Sequence, residues 1–213
     1  MAEDQRLIGE LLERYGSWFR DEGALAAGRM TDRLHPYERL FSPIQVNGTW
    51  IKNRIVMGPM GNISMADETG RPGAKMIEYF VERARGGAGL ITSGLVPVSF
   101  KVDPSFLEPG NLVYLPRIDG SRSVLAGWRG LAQRIHAHGA KFFIQLSPGA
   151  GRVGSPECVV KQWRLPVSSS WNPSYYMPAL PCRPLRDDEC RRLVRATGQA
   201  AADAKACLAD GVY

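Results

Sequence analysis

Residues 51–61 read I-K-N-R-I-V-M-G-P-M-G, and the fold prediction starts from this stretch. Its apolar run, residues 55–57, is long enough for a short buried strand and ends at Gly58-Pro59, where the backbone must turn sharply. The residues that follow, 60–64, are small, soft or polar rather than charged. Such a loop can lie against an apolar ring system and offer it backbone N–H and C=O groups. The same residues also fit a plain buried strand and turn.

The composition is that of an ordinary globular protein. The chain has 213 residues, of which 44% are hydrophobic and 23% are charged. No apolar run approaches the roughly 18 residues of a membrane-spanning helix, and the N-terminal M-A-E-D-Q-R lacks the basic-then-apolar order of a signal peptide. The cysteines show no metal-ligand or redox spacing, so we expect free thiols in a reducing cytoplasm. They are Cys158, Cys182, Cys190 and Cys207.

The charge balance is basic, with 27 Lys and Arg against 21 Asp and Glu. Five arginines fall between residues 183 and 195, but no aromatic residues interleave with them and residues 187–189 are acidic. This pattern favours a solvated helix face over a nucleic-acid interface. Alternatively, the positive field attracts an anionic cofactor or a thioester substrate that bears phosphates.

The first fifty residues predict two local structures. Residues 3–20 place apolar side chains at helical spacing with charges between them, which indicates an amphipathic helix. Its apolar stripe packs either on its own domain or on another chain. Residues 23–29 form a linker of small residues, so residues 1–37 are predicted to be a separate N-terminal extension. Asn47-Gly48 then separates two short alternating apolar segments, which is the strongest short-range signal for a β-hairpin.

Beyond the hairpin, strands alternate with helices, and long loops follow the strands rather than the helices. That asymmetry is typical of a TIM-type (β/α)8 barrel whose working face lies at the carboxyl ends of its strands. An open doubly wound sheet would favour G-x-G-x-x-G after the first strand, and the G-P-M-G of residues 58–61 does not match it. We therefore predict an α/β fold in which residues 38–213 form about strands 1–4, the N-terminal half of such a barrel. The predicted strands are 55–57, 88–94, 141–146 and 212–213, the helices are 73–85, 124–138 and 186–209, and the longest loops are 97–122 and 147–185.

Three motifs in order resemble one known family. They are L-F-S-P-I followed by I-K-N-R-I-V-M-G-P-M within residues 40–60, Y-F-V-E-R-A-R-G-G-A-G-L-I-T-S-G at 79–94, and G-A-K-F-F-I-Q-L-S-P-G-A-G-R at 139–152. Together they resemble the Old Yellow Enzyme family of flavin oxidoreductases, and within it the NADH:flavin oxidoreductase and 2,4-dienoyl-CoA reductase branch. The resemblance covers about residues 38–213 and leaves residues 1–37 outside it.

The resemblance implies an FMN site built from three successive strand ends. The loop after the first strand would back the flavin ring, a small residue of the second strand would lie beneath it, and a glutamine of the third strand would bond its pyrimidine edge. An amide suits that edge because both present a donor and an acceptor. No catalytic or metal-ligating residue is implied within this chain, and Arg152 is given a structural role. The implied cofactor-binding residues are Pro59, Met60 and Gly61 in the loop, Ser93 and Gly94 on the second strand, and Gln145 on the third.

This sequence departs from the family pattern in ways that matter for activity. Gly61 stands where some members carry a flavin-tuning cysteine, and Pro148 stands where many have histidine. The family's substrate-binding pair, proton-donating tyrosine, phosphate-binding loops and, in the dienoyl-CoA branch, iron–sulfur cysteines would lie beyond Tyr213. We therefore expect the C-terminal half of the barrel to be supplied by another chain or a longer precursor. A truncated relative, or exchange between two copies, is the alternative.

Two functions follow from the resemblance. In a complete barrel, hydride would pass from NADH or NADPH through FMN to an activated alkene such as an enoyl or dienoyl thioester. The isolated chain is expected to be inactive. The alternative is a catalytically silent relative that acts as an interaction or structural subunit. Neither function involves nucleic acid or a membrane.

Overall fold

A computed structural model describes residues 37–62, 64–106 and 115–213, together with positions 5, 6, 9, 10 and 13. The chain divides into two compact units, Met1–Ser42 and Pro43–Tyr213. In the first unit the five isolated positions are helical, and helix α1 spans Glu38–Phe41. The apolar stripe predicted within residues 3–20 and the linker at 23–29 lie outside the described residues. The predicted domain boundary after residue 37 stays a prediction.

The described part of the second unit alternates strands and helices. Within it, no helix is long and apolar enough to cross a membrane. In chain order its elements are β1 (Ile44–Val46), β2 (Thr49–Ile51), β3 (Val56–Met57), α2 (Ala74–Arg85), β4 (Leu90–Pro97), α3 (Arg122–His136), β5 (Lys141–Ser147), a 3-10 turn (Gly151–Val153), α4 (Glu157–Gln162), β6 (Val167–Ser168), β7 (Asn172–Pro173), β8 (Pro181–Pro184), α5 (Asp187–Ala206) and β9 (Gly211–Val212).

Strands β1 and β2 form the predicted hairpin. They pair antiparallel, with Val46 opposite Thr49. Between them, Asn47 has a φ of 44° and Gly48 a φ of 86°. Two successive left-handed residues make the turn whose twist matches that of the flanking strands, and asparagine and glycine adopt that backbone most easily. The hairpin prediction is confirmed.

The central sheet has four parallel strands in the order β3-β4-β5-β9. Helices α2, α3 and α5 connect successive strands. The order follows the chain without reversal, whereas a doubly wound sheet reverses direction at a switch point. Strand β3 has a neighbour on one side only in this sheet, and Val56 is 53% exposed. The expectation of a short buried strand at 55–57 is therefore wrong for Val56, whereas Ile55 and Met57 pack, partly buried, against the core.

The three helices pack on one face of the sheet. The core between them is centred on Phe80 of α2, Trp128 of α3 and Phe142 of β5, all fully buried. The rings of Trp128 and Phe142 stack with their centroids 6.2 Å apart, and the Trp128 indole N–H donates to the Arg117 carbonyl at 2.6 Å. Burying an aromatic side chain of this size contributes on the order of 1.5–3 kcal/mol, so this cluster holds α2 and α3 against the sheet.

Helix α2 ends as the sequence predicts. Gly87 has a φ of 100°. Its N–H donates to the Ala84 carbonyl at 3.1 Å, and the Ala88 N–H donates to the Arg83 carbonyl at 3.3 Å. This pair of bonds is the Schellman arrangement, which satisfies carbonyls that the helix leaves free. The chain is thereby turned directly into β4.

Asp210 fastens the amino-terminal end of the sheet. Its carboxylate accepts hydrogen bonds from the Lys141 ammonium at 2.8 Å and the Phe142 N–H at 2.9 Å, and His136 Nε2 lies 2.6 Å away. Burial raises the pKa of Asp210, but these three partners outweigh it and the net pKa is lowered. His136 therefore contacts a structural carboxylate at the end of β5 that lies away from residues 145–150.

Two long segments differ from the sequence prediction. Strand β4 was expected to end at Gly94 but continues to Pro97. Residues 147–185 were expected to be irregular, yet they contain α4 and a three-stranded sheet in the order β6-β8-β7. The strands of that small sheet are only two to four residues long, so they carry too little alternation for a sequence pattern to show.

The arginine-rich segment forms ion pairs at the start of α5. Glu189, 1% exposed, accepts two hydrogen bonds from the Arg183 guanidinium at 2.7 and 2.8 Å and one from the Arg186 N–H at 2.9 Å. Arg192 pairs with Asp188 at 2.8 Å on the exposed face. The hydrogen bonds from Arg183 lower the pKa of Glu189 to about 2. This segment thus joins β8 to α5, and the expectation that it binds no nucleic acid stays a prediction.

All four cysteines are free thiols, as predicted. Cys158, Cys182 and Cys207 are buried, whereas Cys190 is exposed. Burial raises the pKa of Cys158 and of Cys207 to about 11, and at Cys158 the negative charge of Asp103 adds to the effect.

Candidate functional site

A cleft of about 700 Å³ opens at the carboxyl ends of the central strands. The loop after β3 contributes Gly61 and Asn62, β4 contributes Leu95, and β5 contributes Gln145. Among the described residues, those that line the cleft carry no charge. The cleft therefore suits a largely apolar, neutral ring system. Its apolar walls include Phe106, Leu115, Pro148, Val153, Pro156 and Tyr176.

Gly94 and Met60, two of the predicted site residues, meet through their backbones. A Cβ at Gly94 would lie 1.7 Å from the Met60 carbonyl oxygen, so no larger residue fits while the loop stays in place. The buried Asn62 amide joins the same two residues. With the amide oriented so that its oxygen faces the Gly94 N–H, the oxygen accepts that hydrogen bond at 2.9 Å and the nitrogen donates to the Met60 carbonyl at 3.2 Å. The loop after β3 is thus locked onto β4.

Ser93 lies in a bulge of β4. Thr92 pairs with Phe143 and Leu95 with Gln145, so two residues of β4, 93 and 94, stand opposite one residue of β5. The buried Ser93 hydroxyl accepts from the Gln145 N–H at 3.1 Å and donates to the Gly94 carbonyl at 2.9 Å. It therefore replaces the backbone partner that the bulge removes, and its direct chemical role is within the sheet.

Gln145 is half-buried at the edge of the cleft. Its backbone N–H is bonded to Ser93, but no residue in the described parts of the chain hydrogen-bonds its side-chain amide. A half-buried amide that keeps a donor and an acceptor free is available to a ligand. Gln145 is thus the predicted residue whose placement best fits contact with a polar ring edge.

The remaining predicted residues, Pro59 and Met60, lie in the exposed loop after β3. Met60 is 50% exposed, and its sulfur lies 3.9 Å from the Tyr79 hydroxyl. Of the six predicted residues, the structure places Gly61 and Gln145 on the cleft wall, and Met60, Ser93 and Gly94 in contacts that shape it. Their cofactor contacts stay a prediction.

Sequence reasoning missed Asn62 and three long-range hydrogen bonds to carbonyls in the loop after β4. The Arg164 guanidinium donates to the carbonyls of Lys101 and Val102, both at 3.2 Å, and the Gln162 amide donates to the Pro104 carbonyl at 3.3 Å. These partners are about 60 residues apart in sequence, so no local pattern reveals them. A polar residue directly after a G-P-M-G turn was the one available signal for Asn62.

Comparisons with known proteins agree with this geometry. Residues 39–213 match the NADH:flavin oxidoreductase / NADH oxidase family. The chain is 37% identical over 176 residues to a cinnamate reductase of Clostridium sporogenes and 33% identical over 176 residues to an NADH oxidase of Thermoanaerobacter brockii. Both alignments cover 83% of this chain and 25% of the relative. The chain therefore spans about a quarter of the length of these two relatives.

Solved structures give the same fold. An old yellow enzyme homologue from Zymomonas mobilis superimposes with a TM-score of 0.62 at 30% identity, covering 81% of this chain and 47% of that chain. Morphinone reductase in complex with tetrahydroNAD superimposes with a TM-score of 0.61 at 26% identity, covering 81% of this chain and 48% of that chain. These matches confirm the prediction of a partial TIM-type barrel. The chain belongs to the NADH:flavin oxidoreductase / NADH oxidase family of Old Yellow Enzyme type and spans part of that family's barrel.

Proposed function

We propose that this chain forms the flavin-ring side of an FMN-dependent oxidoreductase. The observation that carries the proposal is the half-buried side-chain amide of Gln145, which has no hydrogen-bond partner among the described residues. It lies at the edge of a cleft whose described lining residues carry no charge. Family membership supports the choice of a flavin as the ring system. The structure fits such a group, because the described lining is largely apolar and the loop that would back the ring is fixed by Asn62.

In the proposed site each residue acts by binding or by shaping. The Gln145 amide would donate to and accept from the pyrimidine edge of the ring. Pro59, Met60 and Gly61 would back the ring, and Gly94 with Ser93 would keep that loop close to β4. When bound, the flavin supplies hydride transfer from NADH or NADPH to an activated alkene.

We propose an activated alkene with an apolar tail as the substrate, with enoyl and dienoyl thioesters as the finer assignment. The described residues that line the cleft are neutral, which supports an uncharged group beside the ring. The relatives support the reaction class, since one is a cinnamate reductase and another a morphinone reductase. The phosphates of an acyl-CoA thioester would have to lie outside the cleft, because isolated charges are costly in an apolar site.

We further propose that activity requires the C-terminal half of the barrel, on another chain or in a longer precursor, and that the complete protein works in the cytoplasm. The chain spans about half of the solved chains that it matches, at 47% and 48%. In the described sheet β3 and β9 each have one neighbour only. Unpaired parallel edges of this kind call for further strands.

The second candidate is a catalytically silent interaction subunit. The observation that favours it is a group of exposed aromatic side chains in the segment after β5. Trp163 is 92% exposed, Trp171 64% and Tyr175 62%. Size-exclusion chromatography with light scattering on protein from the native host distinguishes the two functions. A tight complex with a different chain but without flavin supports this candidate.

Titration with FMN tests the first proposal, by flavin fluorescence quenching, with and without a C-terminal barrel half. Gln145→Leu should weaken binding about tenfold, because two hydrogen bonds of about 1 kcal/mol each are lost and the apolar replacement recovers part. Gln133→Leu is the matched control, since Gln133 is exposed on α3, and it should bind as the wild type does. Absence of flavin binding by the wild type in both settings would refute the proposal.

A further inference from the structure

We propose that Asp103 is a positioning residue that holds together the two loops flanking the cleft. One loop follows β4 and the other follows β5, so the link spans 47 positions of sequence. The inference rests on the proposed function for its meaning, because the wall that Asp103 fixes belongs to the proposed flavin cleft. The link itself is a property of the structure and can be tested without flavin.

The Asp103 carboxylate is fully buried and uses both oxygens. Oδ1 accepts from the Ser105 N–H at 2.9 Å and the Ser105 hydroxyl at 2.6 Å. Oδ2 accepts from the Ala150 N–H at 2.8 Å. The first two bonds shape the loop after β4 locally, and the third reaches across to the loop after β5.

A carboxylate is the side chain that this arrangement requires. Three donors converge on it, and a carboxylate of this length offers acceptors on both oxygens, whereas an amide offers one acceptor and one donor. Within the described ranges no cation lies within ion-pair distance of Asp103, although Arg183 interacts with it electrostatically at longer range, so its direct partners are N–H and O–H donors. A buried charge is costly unless it is fully hydrogen-bonded, and here the bonds link two loops.

Both loops contribute to the cleft wall. Ser105 and Phe106 line it from the first loop, and Gly149 and Ala150 line it from the second. Of the described side chains, Asp103 is the one that hydrogen-bonds lining residues of both loops. The Arg164 and Gln162 side chains also bond the first loop, but only at carbonyls of residues that do not line the cleft.

The packing leaves little room for the loops to slide. A Cβ at Gly149 would lie 3.2 Å from Asp103 Oδ2, which is a tight contact. Ala150 follows Gln145 by five residues on the same segment. A shift of Ala150 away from Asp103 would therefore displace the cleft wall next to the Gln145 amide, which is proposed to bind the flavin edge.

Asp103→Asn removes the cross-loop bond selectively. The asparagine oxygen can still accept from the Ser105 N–H, which places the amide nitrogen against the Ala150 N–H, donor facing donor. Gln162→Leu is the matched control, because it removes a side-chain bond to the same loop without touching Ala150. Gly149→Ala is a milder variant that presses on Asp103 Oδ2.

Hydrogen–deuterium exchange at the Ala150 amide tests the link. In the wild type this amide should exchange at least tenfold slower than an unprotected amide. Exchange should rise to near the unprotected rate in Asp103→Asn, rise by less in Gly149→Ala, and stay at the wild-type rate in Gln162→Leu. An unprotected Ala150 amide in the wild type would overturn the proposal even if Asp103→Asn fails to fold.

Flavin spectroscopy tests the positioning role. Asp103→Asn and Gly149→Ala should weaken FMN binding and shift the visible absorption band of bound flavin, while Gln162→Leu should leave both unchanged. Variants with faster Ala150 exchange but a wild-type band and affinity would overturn the positioning role. If the wild type binds no FMN, the proposed function fails, and the exchange measurement alone decides the loop link.

Discussion

Replacing Gly94 with alanine tests how the loop after β3 is held on β4. The added Cβ would lie 1.7 Å from the Met60 carbonyl oxygen and 3.1 Å from the Asn62 side-chain carbon. The first distance is more than about 1 Å shorter than real contacts allow. The loop must therefore withdraw, because the strand is fixed by its neighbours on both sides.

The cost has two parts. Overpacking a tight site costs about 1–3 kcal/mol. Withdrawal of the loop also breaks the two hydrogen bonds of the Asn62 amide, at roughly 1 kcal/mol each. Together the free energy of unfolding should fall by roughly 3–5 kcal/mol.

Equilibrium unfolding in urea measures this loss. With a slope of about 2–3 kcal/mol per molar urea, the midpoint of Gly94→Ala should lie about 1–2.5 M below that of the wild type. Gly130→Ala is the control, because its Cβ would meet nothing within 4 Å in the middle of α3. That change should stabilise the protein by about 0.5–1 kcal/mol. A wild-type midpoint for Gly94→Ala would refute the close approach of Met60.

Three further outcomes are expected. Glu189→Gln should lower the free energy of unfolding at neutral pH, and this loss should shrink as the pH falls from about 4 towards about 2. Arg183 holds the pKa of Glu189 at about 2 in the folded protein. The carboxylate therefore stabilises the fold fully above its ordinary pKa, and that contribution disappears as the pH falls to the folded-state pKa. Urea midpoints measured against pH check this, and a pH-independent deficit would contradict it. Asp210→Asn should lower the free energy of unfolding by about 2 kcal/mol through the loss of charged hydrogen bonds such as that from Lys141. Thermal and urea unfolding measure this loss, and an unchanged stability would show that these hydrogen bonds do not stabilise the fold. A thiol reagent at neutral pH should label Cys190 in seconds to minutes and the three buried thiols only on unfolding, since only an accessible thiolate reacts. Mass spectrometry of the labelled peptides measures this, and fast labelling of a buried thiol would contradict its burial.

Local signals in the sequence predicted much of the architecture. Asn47-Gly48 specified the hairpin, because two left-handed residues leave few alternatives. Gly87 ended α2, and the apolar run from Lys141 gave β5 at nearly its observed length. These features depend on neighbours in sequence, which is the information that a pattern carries.

Features that depend on distant contacts escaped prediction. The bulge at Ser93 arises from pairing with Gln145, and the bond from Asp103 to Ala150 joins two loops. The small sheet β6-β8-β7 has strands too short to show alternation. For the candidate site, sequence resemblance identified Gly61 and Gln145, which share the cleft, but it gave no hint of Asn62.

The bulge in β4 has a consequence for how this strand can evolve. Ile91 and Val96 both face the helices in the core, although residues five apart point to opposite faces of a regular strand. The extra residue at Ser93-Gly94 is what brings them back into phase. Losing one residue here would leave a regular strand in which Val96, then four positions after Ile91, still faces the core, whereas gaining one would turn Val96 outward and Leu95 inward. Homologous sequences should therefore accept a one-residue deletion at this point more readily than a one-residue insertion.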